Sequence, residues 1–445
     1  MKIIQYTLGL PPYRRGGLPR YSTDLSLELS KTNTVVLLYP GAMPFFSSYK
    51  LFFKTRKLDY PFSVVEMKNP LPVSLGLGIH TAAPYMEKRR KKEIFEFLKK
   101  ENPDVIHIHT LMGLPLEFLE VAQSLNIKTV YTTHDFYGLC PKMLKKDPLK
   151  ELRSRKCTYD CMLCKDGPAI KKIKVMQSHT YIRFKNSIFL RILRKNQKEQ
   201  ILTLSDKNDI NVSNIEAKNR YNLRRYYTKM LQLITEFHFN SNISKNVINH
   251  FLPHVKGEVV SITHSGLKDN RPKNYKFSNK KIVIGYIGPY DEKKGFFELS
   301  KVLCDLREQY NNFEFHAYGD IVNRPIFSQK WAFNHGVIAS RNMASVYKNI
   351  DVLIVPSLWH ETFGFTVLEA LSYGDICLVS KNVGAKDLIE KECIFDDKYE
   401  LFQKLKSIFN NPVNNAELYF SKLKKKNLPL DYAKHVRIIE EKFYR

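Results

Sequence analysis

Glu361 and Glu369 bracket the segment Glu-Thr-Phe-Gly-Phe-Thr-Val-Leu-Glu, directly after the apolar run Asp351-Val-Leu-Ile-Val-Pro-Ser357. The run predicts a buried strand from Val352 to Val355 that stops at Pro356. A loop containing Gly364 follows, and a helix begins near Phe365 or Thr366 with Val367, Leu368, Ala370 and Leu371 as its apolar face. Open α/β sheets bind ligands in the crevice beyond the carboxyl ends of their strands. The free N–H groups of a helix start favour an anion there. A carboxylate repels phosphate but accepts hydrogen bonds from sugar or ribose hydroxyls. Phosphate and hydroxyls together describe a nucleotide-sugar site in outline. Taken alone, the same spacing is better explained by a dipole-favoured helical glutamate and a solvated loop glutamate.

Three other segments carry chemistry. Gly16 and Gly17 stand between the first strand and a helix, where they permit close approach to the backbone or simply make a flexible turn. Gly285-Tyr-Ile-Gly288-Pro-Tyr-Asp-Glu-Lys-Lys294-Gly295 places Lys293 and Lys294 after another strand, as phosphate-binding cations or as surface charges. His134 ends the strand Lys128 to Thr133, at the crevice, with a pKa range suited to hydrogen bonding or proton transfer. A satisfied structural histidine is the alternative. His107 and His109 share one face of a strand and read as structural or cleft-lining.

Cys140, Cys157, Cys161 and Cys164 cluster, and four thiolates at such spacing suit a closed tetrahedral zinc site, although buried free thiols remain open. Ile173, Met176, Tyr181, Phe184, Ile188 and Ile192 recur at near-helical spacing among Lys171, Lys172, Lys174, Arg183, Lys185, Arg191 and Arg194. One helix with basic and apolar faces suits an anionic membrane surface, or a packed helix with a solvated basic side.

The 445 residues exceed one ordinary core, so two domains are expected. Strand and helix signals alternate through the first third: strands at 3–6, 34–39, 104–109 and 128–133, with helices at 20–29, 86–100 and 116–125. A second series of strands runs through 282–287, 313–318, 351–355 and 376–380. Two Rossmann-like halves facing a central cleft follow: residues 1–265, carrying a mostly helical insertion at about 140–240, and residues 266–430. Residues 431–445 read as a terminal helix. The net charge of +27 implies an anionic partner, and residues 142–199 alone carry 17 basic and 5 acidic residues, a net +12. No run of 18 apolar residues occurs, and the N-terminus reads as a strand rather than a signal segment, so a cytoplasmic protein with peripheral contact to the inner membrane face is expected. No nucleic-acid-binding signature appears.

The stretch Ser357 to Ile389, with Glu361, Gly364, Glu369, Ala370, Leu371, Gly374 and Gly384, resembles the signature of retaining glycosyltransferases of family 4, two-domain enzymes of the GT-B fold. The resemblance covers nearly the whole chain outside 140–240. It implies transfer of a sugar from a UDP or GDP type nucleoside diphosphate sugar to a glycan or lipid-linked hydroxyl acceptor, by front-face attack and without a catalytic metal. It implies that Gly16, Gly17, Lys294, Gly364, Phe365 and Thr366 border the donor diphosphate, that Glu369 takes the ribose and that Glu361 takes the sugar. His134 would stand beside the reacting centre, and the terminal helix would cross back to the first domain. Pro289 departs from the pattern, which often has arginine there. A GT-B relative of another activity and a non-catalytic basic binding protein are the competing readings. The likeness also implies cell-envelope or surface polysaccharide assembly.

Overall fold

A computed structural model of the chain describes residues 1–11, 14, 16–44, 49–74, 79–139, 168–184, 187, 213–272 and 281–445. The first half is built on strands β1 (Lys2–Tyr6), β2 (Thr34–Pro40), β3 (Phe52–Arg56), β4 (Ser63–Lys68), β5 (Val105–Ile108), β6 (Lys128–Thr132), β7 (Glu236–Phe239) and β8 (Gly257–Val259). They form one sheet in the order β3-β4-β2-β1-β5-β6-β7-β8. All pairings are parallel except β3 with β4. The central strands carry Ile3, Ile4, Val36, Leu37, Ile106, Ile108, Val130 and Tyr131, all buried, as a sheet covered on both faces requires. Strand β3 is short, half-exposed and at the edge.

The second half holds β9 (Ile282–Ile287), β10 (Phe313–Tyr318), β11 (Ala332–Asn334), β12 (Val352–Val355), β13 (Ile376–Ser380) and β14 (Ile394–Phe395), all parallel, in the order β11-β10-β9-β12-β13-β14. These two sheets with their helices make an α/β chain of two Rossmann-like domains.

The helix expected at 86–100 begins at Lys91 instead. Pro84 opens a separate short 3-10 turn, Ala83–Met86. Residues between the two are held extended because the buried Arg89 guanidinium donates to the Asn69 carbonyl at 3.0 Å. Within 140–240, the described segments are the helices Ile170–Met176, His179–Phe184 and Asn214–Gln232, together with strand β7. The stretch read as one basic and apolar helix therefore breaks at Gln177. That side chain is buried, accepts from the Val73 N–H at 2.9 Å and donates to the Gly41 carbonyl at 3.4 Å, which stitches the segment to the first domain. Ile173 is buried in the same core, whereas Phe184 is 55% exposed. Cys140, Cys157, Cys161, Cys164, Ile188 and Ile192 lie outside the described residues.

The helix Tyr432–Ile439 and the π-helical turn Glu440–Tyr444 pack against the first half, where Tyr444 is fully buried beneath β1 and β5. Among the described residues no helix is long and apolar enough to cross a membrane.

Candidate active site

The carboxyl ends of the two sheets face each other across a cavity of about 390 Å³. Its polar lining comes from His134 and Asn240 on the first half and from Tyr286, Lys294, Glu361, Thr362 and Thr366 on the second, with Gly17 and Gly364 exposing backbone. Leu18, Ile262, Trp359, Phe363 and Phe365 supply apolar walls.

Each side chain is placed by local geometry. Gly295 adopts φ +70°, and a Cβ there would stand 1.8 Å from the Pro356 carbonyl oxygen, so only glycine lets the loop after β9 reach the loop after β12. The Lys293 carbonyl accepts from the N–H groups of Leu358 and Trp359, tying those loops together. Lys293 itself lies over the Trp359 ring, 5.5 Å from its centroid. Lys294 is thereby brought beside Glu361, Nζ to Oε1 2.9 Å. Glu361 is fixed by its own backbone, which donates to the Asn382 carbonyl and accepts from the Gly384 N–H. Gly364 then turns at φ +103° into the helix Phe365–Leu371. Pro289 lines the cavity without contributing a charge.

From the first half, the helix Gly17–Leu29 starts at the cavity. Gly16 offers no side-chain cap, and the N–H groups of Gly17 and Leu18 have no hydrogen-bond partner among the described residues. A Cβ on Gly17 would meet the Phe365 ring at 3.0 Å, so the absent side chain allows the halves to meet. The loop Glu361–Gly364 docks on the first half: Thr362 Oγ1 donates to the His134 carbonyl at 2.9 Å and the Ser241 hydroxyl donates to the Thr362 carbonyl.

His134 lines the cavity and is tilted against Tyr21, with ring centroids 5.0 Å apart. Burial pushes its pKa down to about 3, with the neighbouring His238 adding to the effect, so the imidazole is neutral. Its neighbour Asp135 is pushed up to about 6 by burial, against hydrogen bonds from Tyr137 and Thr110.

Two expected donor residues stand outside the lining, Gly16, which only leads into the helix Gly17–Leu29, and Glu369. A turn into its helix, Glu369 accepts from His264 Nε2 at 3.0 Å and from the Tyr347 hydroxyl, and faces Arg20 at 3.4 Å. Burial opposes its ionisation, but His264, Tyr347 and Arg20 outweigh that and hold its pKa below the usual carboxylate range. Its carboxylate bridges the two halves behind the cavity wall.

Sequence reasoning missed Asn240. Its side chain is fully buried, lines the cavity, and has neither amide atom hydrogen-bonded among the described residues. A buried amide without partners is costly unless a ligand supplies them. The signal was an asparagine at a parallel strand's carboxyl end, hidden because β7 was itself absorbed into the expected insertion. Among the described residues no group of three metal-ligating side chains is present.

Comparison with known proteins places these features in a family context. The family described as Glycosyl transferases group 1 matches residues 268–422, and that described as Glycosyltransferase Family 4 matches residues 15–160. An uncharacterized 42.6 kDa protein in the cps region of Klebsiella pneumoniae is 20% identical over 301 residues, which cover 67% of this chain and 62% of that relative. Among solved structures, a UDP-forming α,α-trehalose-phosphate synthase from Burkholderia xenovorans, in complex with glucose-6-phosphate, superposes with TM-score 0.58 at 10% identity, covering 99% of both chains. Anabaena HepE in complex with UDP and glucose gives TM-score 0.54 at 12% identity, covering 99% of this chain and 98% of that one. Sucrose-phosphate synthase from Thermosynechococcus elongatus gives 0.52 at 13% identity, covering 100% and 96%.

Proposed function

Because the chain belongs to the GT-B glycosyltransferases, we propose that it transfers a sugar from a nucleoside diphosphate sugar to a hydroxyl acceptor with retention of configuration. The observation that carries this reading is the Lys294–Glu361 pair, 2.9 Å apart, facing the uncapped start of the helix Gly17–Leu29 across one cavity. A cation and free N–H groups suit a diphosphate, and a carboxylate next to them suits the hydroxyls of the attached sugar. HepE is solved with UDP and glucose, which supports a UDP sugar as the first donor to test.

In this reading Lys294 and the Gly17 and Leu18 N–H groups hold the diphosphate and stabilise its charge as it departs. Glu361 orients the sugar, and His134, Asn240 and Thr362 border the face where the acceptor hydroxyl approaches. The departing diphosphate takes the acceptor's proton, so positioning carries most of the rate. A ribose contact at Glu369 requires exchange with His264 or Tyr347, its present donors. The relative in a cps region, with the basic balance of the chain, supports a role in surface polysaccharide assembly at the cytosolic membrane face. Incubation with a panel of UDP and GDP sugars, read as nucleotide release and as thermal stabilisation, tests the proposal. Neither release nor stabilisation with any of them sinks it.

A further inference from the structure

Behind His134 a line of buried polar groups runs through the first half to the main chain of residue 260. His238 Nε2 stands 2.7 Å from the Val260 carbonyl, and a carbonyl only accepts, so this nitrogen carries the proton. Neutral His238 then has Nδ1 as an acceptor, which takes the Thr132 hydroxyl at 2.8 Å. Having spent its proton, Thr132 Oγ1 accepts from His107 Nε2 at 2.6 Å. His107 Nδ1 accepts in turn from the Tyr444 hydroxyl at 2.6 Å. The Tyr444 oxygen accepts from Gln5 Nε2 at 3.0 Å, which turns Gln5 Oε1 to accept from His109 Nε2 at 2.7 Å. His109 Nδ1 is left as an acceptor for His134 Nε2 at 3.1 Å. Every link permits one direction, and each side chain between the ends donates once and accepts once.

We infer that this one-way relay fixes His134 as its Nε2–H tautomer, and that Tyr444, which never touches His134, is the positioning residue that passes the direction set at the Val260 carbonyl on to Gln5. Burial keeps the line neutral: it holds His107 and His109 well below the ordinary histidine range and His238 down to about 4. His134 Nδ1 has no hydrogen-bond partner among the described residues, and the ring lines the cavity. The fixed tautomer offers that nitrogen as an acceptor, for a substrate hydroxyl. Reversal of the relay would present an N–H instead, which the hydroxyl could meet only with an oxygen lone pair, turning its own proton elsewhere. Only this rate consequence rests on the proposed sugar transfer.

The test is the ring-nitrogen spectrum of ¹⁵N-histidine-labelled full-length protein, with the His134 signals assigned by their loss in His134→Gln. Wild type shows Nε2 protonated and Nδ1 bare. Tyr444→Phe frees the Gln5 amide to turn over, and Thr132→Val removes the link to His238, so both move His134 at least partly to Nδ1–H. Tyr227→Phe removes another buried hydroxyl, paired with Tyr137 off the line, and leaves the tautomer alone. On a donor that wild type cleaves, Tyr444→Phe and Thr132→Val lower kcat about tenfold with donor KM unchanged, the pattern of a lost transition-state interaction. An Nδ1–H wild type, or an unshifted tautomer in a folded Tyr444→Phe and Thr132→Val, overturns the relay. Failure of wild type to act on any nucleotide sugar counts against the transfer reaction, whereas the spectrum decides the relay by itself.

Discussion

Lys294 Nζ lies 2.9 Å from Glu361 Oε1, joining the loop after β9 to the loop after β12 at the floor of the cavity between the two halves. The pair leaves the lysine a third exposed. An incoming diphosphate therefore meets a cation already aimed, and must share it with a carboxylate. That competition separates the two residues' roles.

Lys294→Ala should weaken UDP or GDP binding by about 1.5–3 kcal/mol, the range for hydrogen bonds to charged groups. Glu361→Gln should leave nucleotide affinity equal or higher, because it removes the competitor, while turnover drops. Isothermal titration with the free nucleotides and steady-state kinetics separate these outcomes. Unchanged binding in Lys294→Ala would mean the diphosphate lies elsewhere.

Asn240→Leu should lose donor or acceptor affinity without losing stability. Its amide has no partner among the described residues, and an unsatisfied buried polar group costs about 1–3 kcal/mol. The variant's Tm should equal or exceed that of wild type while kcat/KM falls. A large fall in Tm would give Asn240 a structural role.

Stability should decline as pH drops from 7.5 toward 6. His107, His109, His134, His238 and His435 are held neutral by burial, with pKa values below the ordinary range. The unfolded chain protonates these histidines near pH 6.5 and the folded one does not, so their contribution is full above 6.5 and lost below it, down to the folded values of about 3 to 4. Asp135 and Asp351, raised to about 6 by burial, act with the opposite sign between about 6 and the ordinary aspartate range, so the decline should flatten there. A Tm at pH 6.0 equal to that at 7.5 would contradict the assignment.

Residues 142–199, with their net +12, should bind phosphatidylglycerol vesicles at low salt and release them at high salt. Each Lys or Arg near such a surface contributes up to about 1 kcal/mol, and salt shortens the Debye length. The exposed Phe184 is an apolar side chain available for insertion, so Phe184→Ser should reduce binding even at low salt. Equal sedimentation with neutral vesicles would remove the electrostatic argument.

The four clustered cysteines should hold one zinc ion per chain, measurable by elemental analysis after chelator washing. Cys161→Ser should release it and lower stability, since such binding is coupled to folding. A metal-free protein of full stability would leave them as thiols.

The central strands were legible because a strand covered on both faces is a continuous apolar run, as in Val352–Val355 and in Val35, Val36, Leu37 and Leu38 of β2. Strand β3 was not, since at an edge its residues Phe52 to Arg56 neither alternate in polarity nor present a buried face. Strand β7 was hidden by its own contents: Glu236, Phe237, His238 and Phe239 are all buried, and two of the four are polar. The glycine and lysine loops could be read locally, because one backbone turn decides them. Glu369 could not, because its partners Arg20, His264 and Tyr347 come from three distant segments. The proton direction along the histidines is likewise a property of a three-dimensional path that spacing does not encode.

Thr362 Oγ1 on the His134 carbonyl, the Ser241 hydroxyl on the Thr362 carbonyl, and the Asn242 N–H on Asp387 each employ a main-chain group on one side of the cleft. Main-chain groups survive substitution of the residue that bears them. The side chains of His134 and Thr366 can therefore be exchanged to alter what is held without altering how the halves meet. For an engineer seeking a different sugar or acceptor, His134 and Thr366 are positions at which substrate choice is separable from alignment of the halves, whereas Thr362, Gly17 and Phe365 serve both.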